Sequence, residues 1–378
     1  MNICLLVKDF AAGDKFSKDG MPIKSGAEFH AENHAKQLMK LGHRVSIFAK
    51  KRLFATQARE NIDGIDLVRL HGGFRWLEIW IRLLTTHRDV DAFYIIGTPS
   101  FAVWAVKFAK FFKKPVTLAL TINEEIFSND NWRNRVFQTC DHFVAISHEI
   151  ERGLISQGKI DKSRVQVIPQ GIDVNRFTAS NEKLRRDLKV ESGIDPDSKI
   201  LLFLARINIR KGIDTLQKIW KKIHENFPTA KLLIVGGGLN TLIDQLKNLS
   251  NELDNSIILT GEIDDPCKFY QMSDVYIFPS RGEGLPTSLM EAMSSGLPSV
   301  VSKIGGNEDL ILNNQNGFIV ETEDVDAYVS RISELFSDDK LRLKLGENAA
   351  KIVREKCAYE KVIPKLEAVI TDESFTRS

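Results

Sequence analysis

The chain has 378 residues, 43% of them hydrophobic and 27% charged, which predicts two or three globular domains and excludes disorder or a fibrous repeat. Its four cysteines (Cys4, Cys140, Cys267, Cys357) are far apart with no CxxC pair, which excludes a disulfide scaffold or zinc ribbon and suits a reducing compartment. The net charge of +2 divides unevenly: 25 Lys and Arg face 19 Asp and Glu in residues 1–175, and 27 face 31 in the remainder, so either the first half meets phosphates or an anionic membrane or the asymmetry is chance.

The opening MNICLLVKDF is too short, and lacks the basic start and cleavage site, for a signal peptide; it reads as a buried first strand. No window holds about 18 uncharged apolar residues, so no spanning helix is expected. The expected location is cytoplasmic, soluble or at the inner face of the plasma membrane. Strand-like runs follow at Ile3–Val7, Arg44–Phe48, Leu67–Leu70, Phe93–Ile96, Val116–Leu120, Phe143–Ile146 and Val165–Ile168. Helical patterns lie between several of them, such as 27–41, closed by Gly42. Past a break at Pro169–Asp173 and a polar stretch over 180–198, the alternation restarts. Strands are expected at Ile200–Leu204, Leu232–Val235, Ile257–Leu259, Val275–Phe278, Ser299–Val301 and Gly317–Val320. Continuous apolar strands alternating with amphipathic helices imply parallel sheets covered on both faces. Two such series predict an α/β protein of two doubly wound Rossmann-like domains, with ligand crevices at the carboxyl ends of the strands. The expected division is 1–172 and 173–355, with a last helical run over about 356–378.

The segment Pro279-Ser-Arg-Gly-Glu283-Gly-Leu-Pro286-Thr-Ser-Leu-Met-Glu291 carries the most chemistry. A strand runs into a Gly-containing loop, and Pro286 stands where a helix begins. The N–H groups of Leu285, Thr287 and Ser288 then form a positive helix end suited to a diphosphate. Glu283 precedes the helix. Glu291 lies about 8 Å along its axis from Pro286, so two carboxylates flank that site and can accept sugar and ribose hydroxyls. Just past the strand Leu201–Ala205 come Arg206 and Lys211, placed to clamp the same diphosphate. Two solvated glutamates and a basic loop are the plainer alternative.

These residues resemble the family 4 retaining glycosyltransferases of GT-B fold, in which two Rossmann-like domains face a central cleft. The resemblance spans nearly the whole chain. Its marker is E-x7-E, here Glu283 to Glu291 in EGLPTSLME. LLFLARINIRKGIDTL, VAISHEIERGLISQG, VIPQGIDVNRF, AKLLIVGGG and KIGGNEDLI match other family segments in the expected order. The resemblance implies that Arg206 and Lys211 bind the donor diphosphate. Glu283 then contacts the transferred sugar, with backbone help from Gly284, Leu285, Pro286 and Thr287. Glu291 holds the ribose, and Gly261–Ile263 lies against the base. Gly26 and Ala27, within Ser25-Gly26-Ala27-Glu28, match the family's Gly-rich loop before the first helix. The last helical run resembles the family's terminal helix, which implies its return to the first domain. Two departures stand out. The family's active-site histidine is absent after Val116–Leu120, where Thr121 or Asn123 stands instead. The GGxPE pattern reads Gly305-Gly306-Asn307-Glu308-Asp309.

Other patterns carry less. Asp89-Val-Asp91 matches a metal-binding DxD but precedes a strand, at the wrong end for the crevice, and reads as a solvated turn. Gly236-Gly237-Gly238 is not GxGxxG and reads as a strand-to-helix turn. His30 and His34 have a metal-ligand spacing but no third ligand. No Walker loop or nucleophile elbow occurs. Phe74–Leu84 and Phe101–Lys114 mix aromatics with basic residues. In the second, Phe101, Trp104, Ala105, Phe108 and Phe112 share a helical face, which suits either a membrane contact or cover for the sheet.

The resemblance implies transfer of a sugar from a nucleotide-diphosphate donor, with UDP favoured over GDP, to an acceptor hydroxyl with retention. The leaving phosphate itself takes the acceptor's proton. A bacterial surface polysaccharide or lipid-linked oligosaccharide is the expected acceptor, and no metal, cofactor or nucleic acid is expected. A non-catalytic partner subunit of another transferase remains an alternative, as does another GT-B enzyme such as an epimerase or phosphorylase.

Overall fold

The computed structural model describes residues 1–8, 10, 26–50, 57–71, 75–121 and 131–372. Ser25, Asn123, Phe74 and residues 373–378 lie outside them, as do the side chains of Arg75 and Trp76. The chain forms two compact units: Met1–Gln170 together with the stretch from Glu360, and Gly171–Tyr359.

The first unit runs β1 (Asn2–Val7), α1 (Gly26–Lys40), β2 (Arg44–Lys50), β3 (Arg59–Ile62), β4 (Ile65–Leu70), α2 (Arg75–Thr85) and β5 (Ala92–Ile96). It continues α3 (Ala102–Phe111), β6 (Val116–Leu120), α4 (Asn131–Thr139), β7 (His142–Ala145), α5 (His148–Ser156) and β8 (Val165–Val167). The strand order is β3-β4-β2-β1-β5-β6-β7-β8. All neighbours are parallel except β3, which pairs antiparallel with β4. This hairpin departs from the parallel sheet expected above. Its Asp63-Gly64 turn has φ of 50° and 88°, both positive, as a two-residue turn matched to the strand twist requires. α1 ends where expected: Gly42, at φ 91°, adopts the left-handed conformation that a side chain resists.

The second unit runs α6 (Glu182–Glu191), β9 (Ile200–Leu204), α7 (Ile213–Asn226), β10 (Lys231–Val235), α8 (Asn240–Glu252), β11 (Ile257–Gly261) and α9 (Cys267–Met272). It continues β12 (Val275–Phe278), α10 (Thr287–Ser294), β13 (Ser299–Ser302), α11 (Gly305–Leu310), β14 (Gly317–Val320), α12 (Val325–Ser337) and α13 (Asp339–Lys356). α14 (Tyr359–Thr371) follows and packs on the first unit, where Glu367 accepts from His43 Nε2 at 2.7 Å and the Val369 carbonyl accepts from Thr117 at 3.2 Å.

The six strands of the second unit are all parallel, in the order β11-β10-β9-β12-β13-β14. The order reverses between β9 and β12, which makes their carboxyl ends the switch point where doubly wound sheets bind ligands. The β9–β12 ladder pairs Leu201 with Val275 and Leu202 with Tyr276, two residues short of both carboxyl ends. A buried ionic cluster braces the opposite end. Asp274 accepts from the Ile200 amide at 2.9 Å and from Lys189 at 3.0 Å, with the Arg342 guanidinium 3.5 Å away.

Candidate functional site

The loops after β9 and β12 meet at this switch point. Asn208 caps a 3-10 turn over Ile209–Lys211 by accepting from the Lys211 amide at 3.0 Å, which presents the Lys211 side chain. Lys211 Nζ donates to Glu283 Oε1 at 2.5 Å, across 72 positions of sequence, and lies 5.2 Å from the Phe278 ring. The buried Ser280 hydroxyl donates to the same oxygen at 2.8 Å. Two donors thus fix Glu283 by one oxygen, while its other oxygen and two of the three ammonium protons of Lys211 have no hydrogen-bond partner among the described residues. Arg206, exposed just past β9, pairs with no described residue. A cation without a partner at a strand's carboxyl end is placed for an anionic ligand.

Glycines make this closeness possible. Gly212 follows Lys211 at φ 74°, and a Cβ there would stand 1.8 Å from the Pro279 carbonyl oxygen. A Cβ on Gly236 or Gly238 would likewise stand 2.2 Å or 2.1 Å from the carbonyls of Ala205 and Ile207, the two neighbours of Arg206. The triple glycine is therefore a turn, and one that seats the Arg206 loop. Arg281 braces the arrangement. Its guanidinium takes both Asp214 oxygens at 2.8 and 2.7 Å, and its amide donates to the Arg210 carbonyl at 2.8 Å.

Gly284 and Leu285 are buried, with the Gly284 carbonyl 2.1 Å from where a Gly306 Cβ would be. Pro286 caps α10 and Thr287 opens it, one position later than a helix beginning on Pro286 itself. Two buried phenols hold the helix's first turns. Tyr276 donates to Ser288 Oγ at 2.8 Å, and Tyr270 donates to Glu291 Oε2 at 2.8 Å. Glu291 is 8% exposed, and burial pushes its carboxyl up to about 7, with the Tyr270 hydrogen bond and Arg176 pulling the other way. Gly261 closes β11 at φ 76° with open space beside it, and Ile263 is exposed beyond it.

Arg206, Lys211, Glu283, Gly284, Leu285, Pro286, Thr287 and Glu291 thus belong to the loops and helix start of one switch point, with Gly261 and Ile263 at the end of the edge strand. Gly26 and Ala27 open α1 in the other unit, and Thr121 follows β6 there, half-buried. Sequence reasoning missed Ser280, Asn208, Gly212 and Tyr270. The Asn-x-x-Lys-Gly spacing was a legible cap signal, but no local pattern marks Tyr270 as a partner of Glu291.

The weaker motifs have structural partners. Asp89 pairs with Arg44 at 2.9 Å and Asp91 accepts from the Asn2 amide at 2.8 Å, both at the amino end of β5. His30 and His34 are buried in α1, and burial lowers them to about 3 and about 4; His34 Nδ1 lies 3.2 Å from the Tyr94 hydroxyl. Phe101, Ala105 and Phe108 are buried, so that face of α3 covers the sheet.

Comparisons with known proteins bear on the family and the fold. The model described as "Glycosyltransferase Family 4" matches residues 24–176, and "Glycosyl transferases group 1" matches 185–352, together most of the chain. The Staphylococcus aureus "Capsular polysaccharide biosynthesis glycosyltransferase CapM" is 27% identical over 231 residues, 60% of this chain and 60% of that protein. The Escherichia coli "UDP-Gal:alpha-D-GlcNAc-diphosphoundecaprenol alpha-1,3-galactosyltransferase" is 30% identical over 211 residues, 54% of this chain and 53% of that protein. The alignments thus span little more than half the length of these two relatives. Among solved structures, Anabaena Alr3699/HepE in complex with UDP superposes with a TM-score of 0.79 at 17% identity, covering 98% of this chain and 100% of that one. The structural match shows the GT-B fold. The chain belongs to glycosyltransferase family 4.

Proposed function

We propose that this protein transfers a sugar from a nucleotide-diphosphate donor, UDP-linked, to an acceptor hydroxyl with retention at the anomeric carbon. The observation that carries the reading is the Lys211–Glu283–Ser280 constellation at the β9/β12 switch point, beside Arg206, which pairs with none of the described residues. Arg206, Lys211 and the start of α10 stabilise the charge that builds on the departing diphosphate. Glu283 orients the sugar through its second oxygen. Gly284, Leu285, Pro286 and Thr287 line the donor, Glu291 takes the ribose, and Gly261 and Ile263 border the base. With front-face attack, the leaving phosphate oxygen accepts the acceptor's proton, so Thr121 need not act as a base. The first unit binds the acceptor, and Gly26 and Ala27 at the start of its helix α1 contribute to substrate binding.

The named activities of the two relatives support a saccharide acceptor in surface polysaccharide or lipid-linked oligosaccharide synthesis. UDP in the Anabaena structure supports a uridine donor. The test is a thermal-shift screen of nucleoside diphosphates and their sugars, followed by mass and anomeric analysis of the product. Stabilisation by UDP and an α-linked product from an α-linked donor are expected. No stabilisation by any nucleoside diphosphate would favour a non-catalytic partner instead.

Among the described residues no helix is long and apolar enough to cross a membrane. Leu77, Ile81 and Leu84 are nevertheless exposed along α2. Phe111, 73% exposed, and Phe112 stand at the end of α3, and Lys107 and Lys113 are exposed on and beside that helix. Trp80 joins the two helices, its ring centroid 5.3 Å from that of Phe108 and 6.4 Å from that of Phe111. An apolar strip with adjacent lysines suits an anionic bilayer surface, and we assign the peripheral membrane contact to it. Co-sedimentation with phosphatidylglycerol vesicles should fall in Ile81→Glu and Phe111→Glu, and unchanged binding would remove this assignment.

A further inference from the structure

We propose that Tyr270 is a positioning residue of the donor site: from helix α9, its hydroxyl aims the Glu291 carboxylate at the ribose hydroxyls and so sets the affinity for ribonucleotides. The proposal rests on the reading of Glu291 as the ribose ligand.

Glu291 lies in the second turn of α10, where side chains lean back toward the helix start and hence toward the Glu283 loop. A buried carboxylate with a loose rotamer would be both costly and poorly aimed. Here one oxygen, Oε2, accepts from Tyr270 at 2.8 Å. Oε1 accepts from no described residue, which leaves it for a ligand hydroxyl. The phenol is rigidly placed. Tyr270 is fully buried, edge-on to Phe177 with ring centroids 5.8 Å apart and 6.4 Å from the Tyr276 ring. Its hydroxyl also lies 3.3 Å from the Ser288 carbonyl, so one atom registers α9 against both the first turn of α10 and its acid.

The groups acting on or felt by Glu291 come from several elements. They are Tyr270 on α9, Tyr276 on β12, Tyr359 at the start of α14, and Arg176 and Asp265, which pair with each other at 3.1 Å. Of these, Tyr270 donates a hydrogen bond to the carboxyl, favouring its ionised form against burial. Removing the hydroxyl while keeping the ring therefore frees the carboxylate to rotate and lets it hold its proton to higher pH.

The experiment compares the nucleoside diphosphate, among UDP, GDP and ADP, that most stabilises the full-length protein with its 2′,3′-dideoxy counterpart. Wild type, Tyr270→Phe, Glu291→Gln and the double variant are titrated across pH 5–9. We expect Tyr270→Phe to weaken the ribonucleotide roughly tenfold, to leave the dideoxynucleotide unaffected, and to add nothing to Glu291→Gln. The pH at which ribonucleotide binding reaches half its full strength should move upward. Substituting 3-fluorotyrosine, a stronger donor that keeps the fold, should move it downward. A wild type that binds both nucleotides alike overturns the ribose role of Glu291 and the proposal with it. Wild-type discrimination that survives intact in Tyr270→Phe, or equal losses for both nucleotides, overturns the proposal alone.

Discussion

The two units share a doubly wound plan and both pair charges at the amino ends of their sheets, but the second also gathers charge at the carboxyl ends. In the first, a cavity of about 320 Å³ at the amino ends of β1, β2 and β5 is lined by Asn2, His43, Arg44, Arg59, Asp66, His87 and Asp89. These charges satisfy one another. Arg59 holds both Asp66 oxygens at 2.8 and 2.7 Å, and His87 Nε2 lies 3.0 Å from Asp66. Burial works against the charge on Asp66, but the hydrogen bonds from His87 and Arg59 keep its carboxyl well below the usual range. In the second unit, Lys211 and Glu283 meet at the carboxyl ends and Arg206 has no partner among the described residues. Charge at the amino ends is consumed within the fold, whereas at the switch point Arg206 and one oxygen of Glu283 have no partner among the described residues. Position on the sheet, more than motif, separates the Asp89 and Asp91 turn from the carboxylate proposed to act.

The sharpest way to break that contrast is to delete charges at both ends. Lys211→Ala or Glu283→Ala should lower turnover about 100-fold or more with the fold intact. Asp89→Ala with Asp91→Ala should change it less than about twofold, because exposed pairs contribute little. Steady-state kinetics beside far-UV circular dichroism decides, and a large loss in the aspartate double variant would overturn the division of roles.

Next in size is the backbone. Gly212→Ala forces a Cβ toward the Pro279 carbonyl at a left-handed φ, and should cost about 3 kcal/mol along with activity. Gly42→Ala is equally left-handed but has nothing within 4 Å, so only the backbone strain of about 1 kcal/mol is expected. Equal losses in urea unfolding would mean that the contact with Pro279 yields easily.

A third test is a pH dependence. The Glu291 carboxyl is raised from 4.5 to about 7 in the folded chain. Between those values the folded state binds more protons than the unfolded one. Its contribution is therefore fully present below about pH 4.5, falls as pH rises to about 7, and is flat above. Glu291→Gln should remove this slope, gaining on wild type by about 2 kcal/mol in melts between pH 5 and 8. Parallel profiles would argue against a buried, proton-holding carboxyl.

Much of the second unit was legible. Its strands other than the edge strand β11 are mainly buried apolar runs, and the Glu283–Glu291 spacing sits on a single loop and helix start, so local rules suffice. The Asp63-Gly64 hairpin was equally local, though its polar strand Arg-Glu-Asn-Ile lacks the apolar alternation that marks a strand, and it went unread. The apolar face of α3 was visible as a face, but not which partner it covers. Phe108 is buried while Phe111, three positions on, is exposed.

Sequence alone determined the two α/β series, the strand ends that bear Arg206 and Lys211, and the helix start that bears Glu283 and Glu291, because strand burial, helix capping and helical spacing act over a few residues. Tertiary structure alone decided that Lys211 and Ser280 share one oxygen of Glu283, that Gly212 must pass under the Pro279 carbonyl, and that a phenol from α9 secures Glu291. Those contacts join segments brought side by side only by the order in which the strands pair, and no local periodicity encodes which side chains a crossover connection will set within hydrogen-bonding reach.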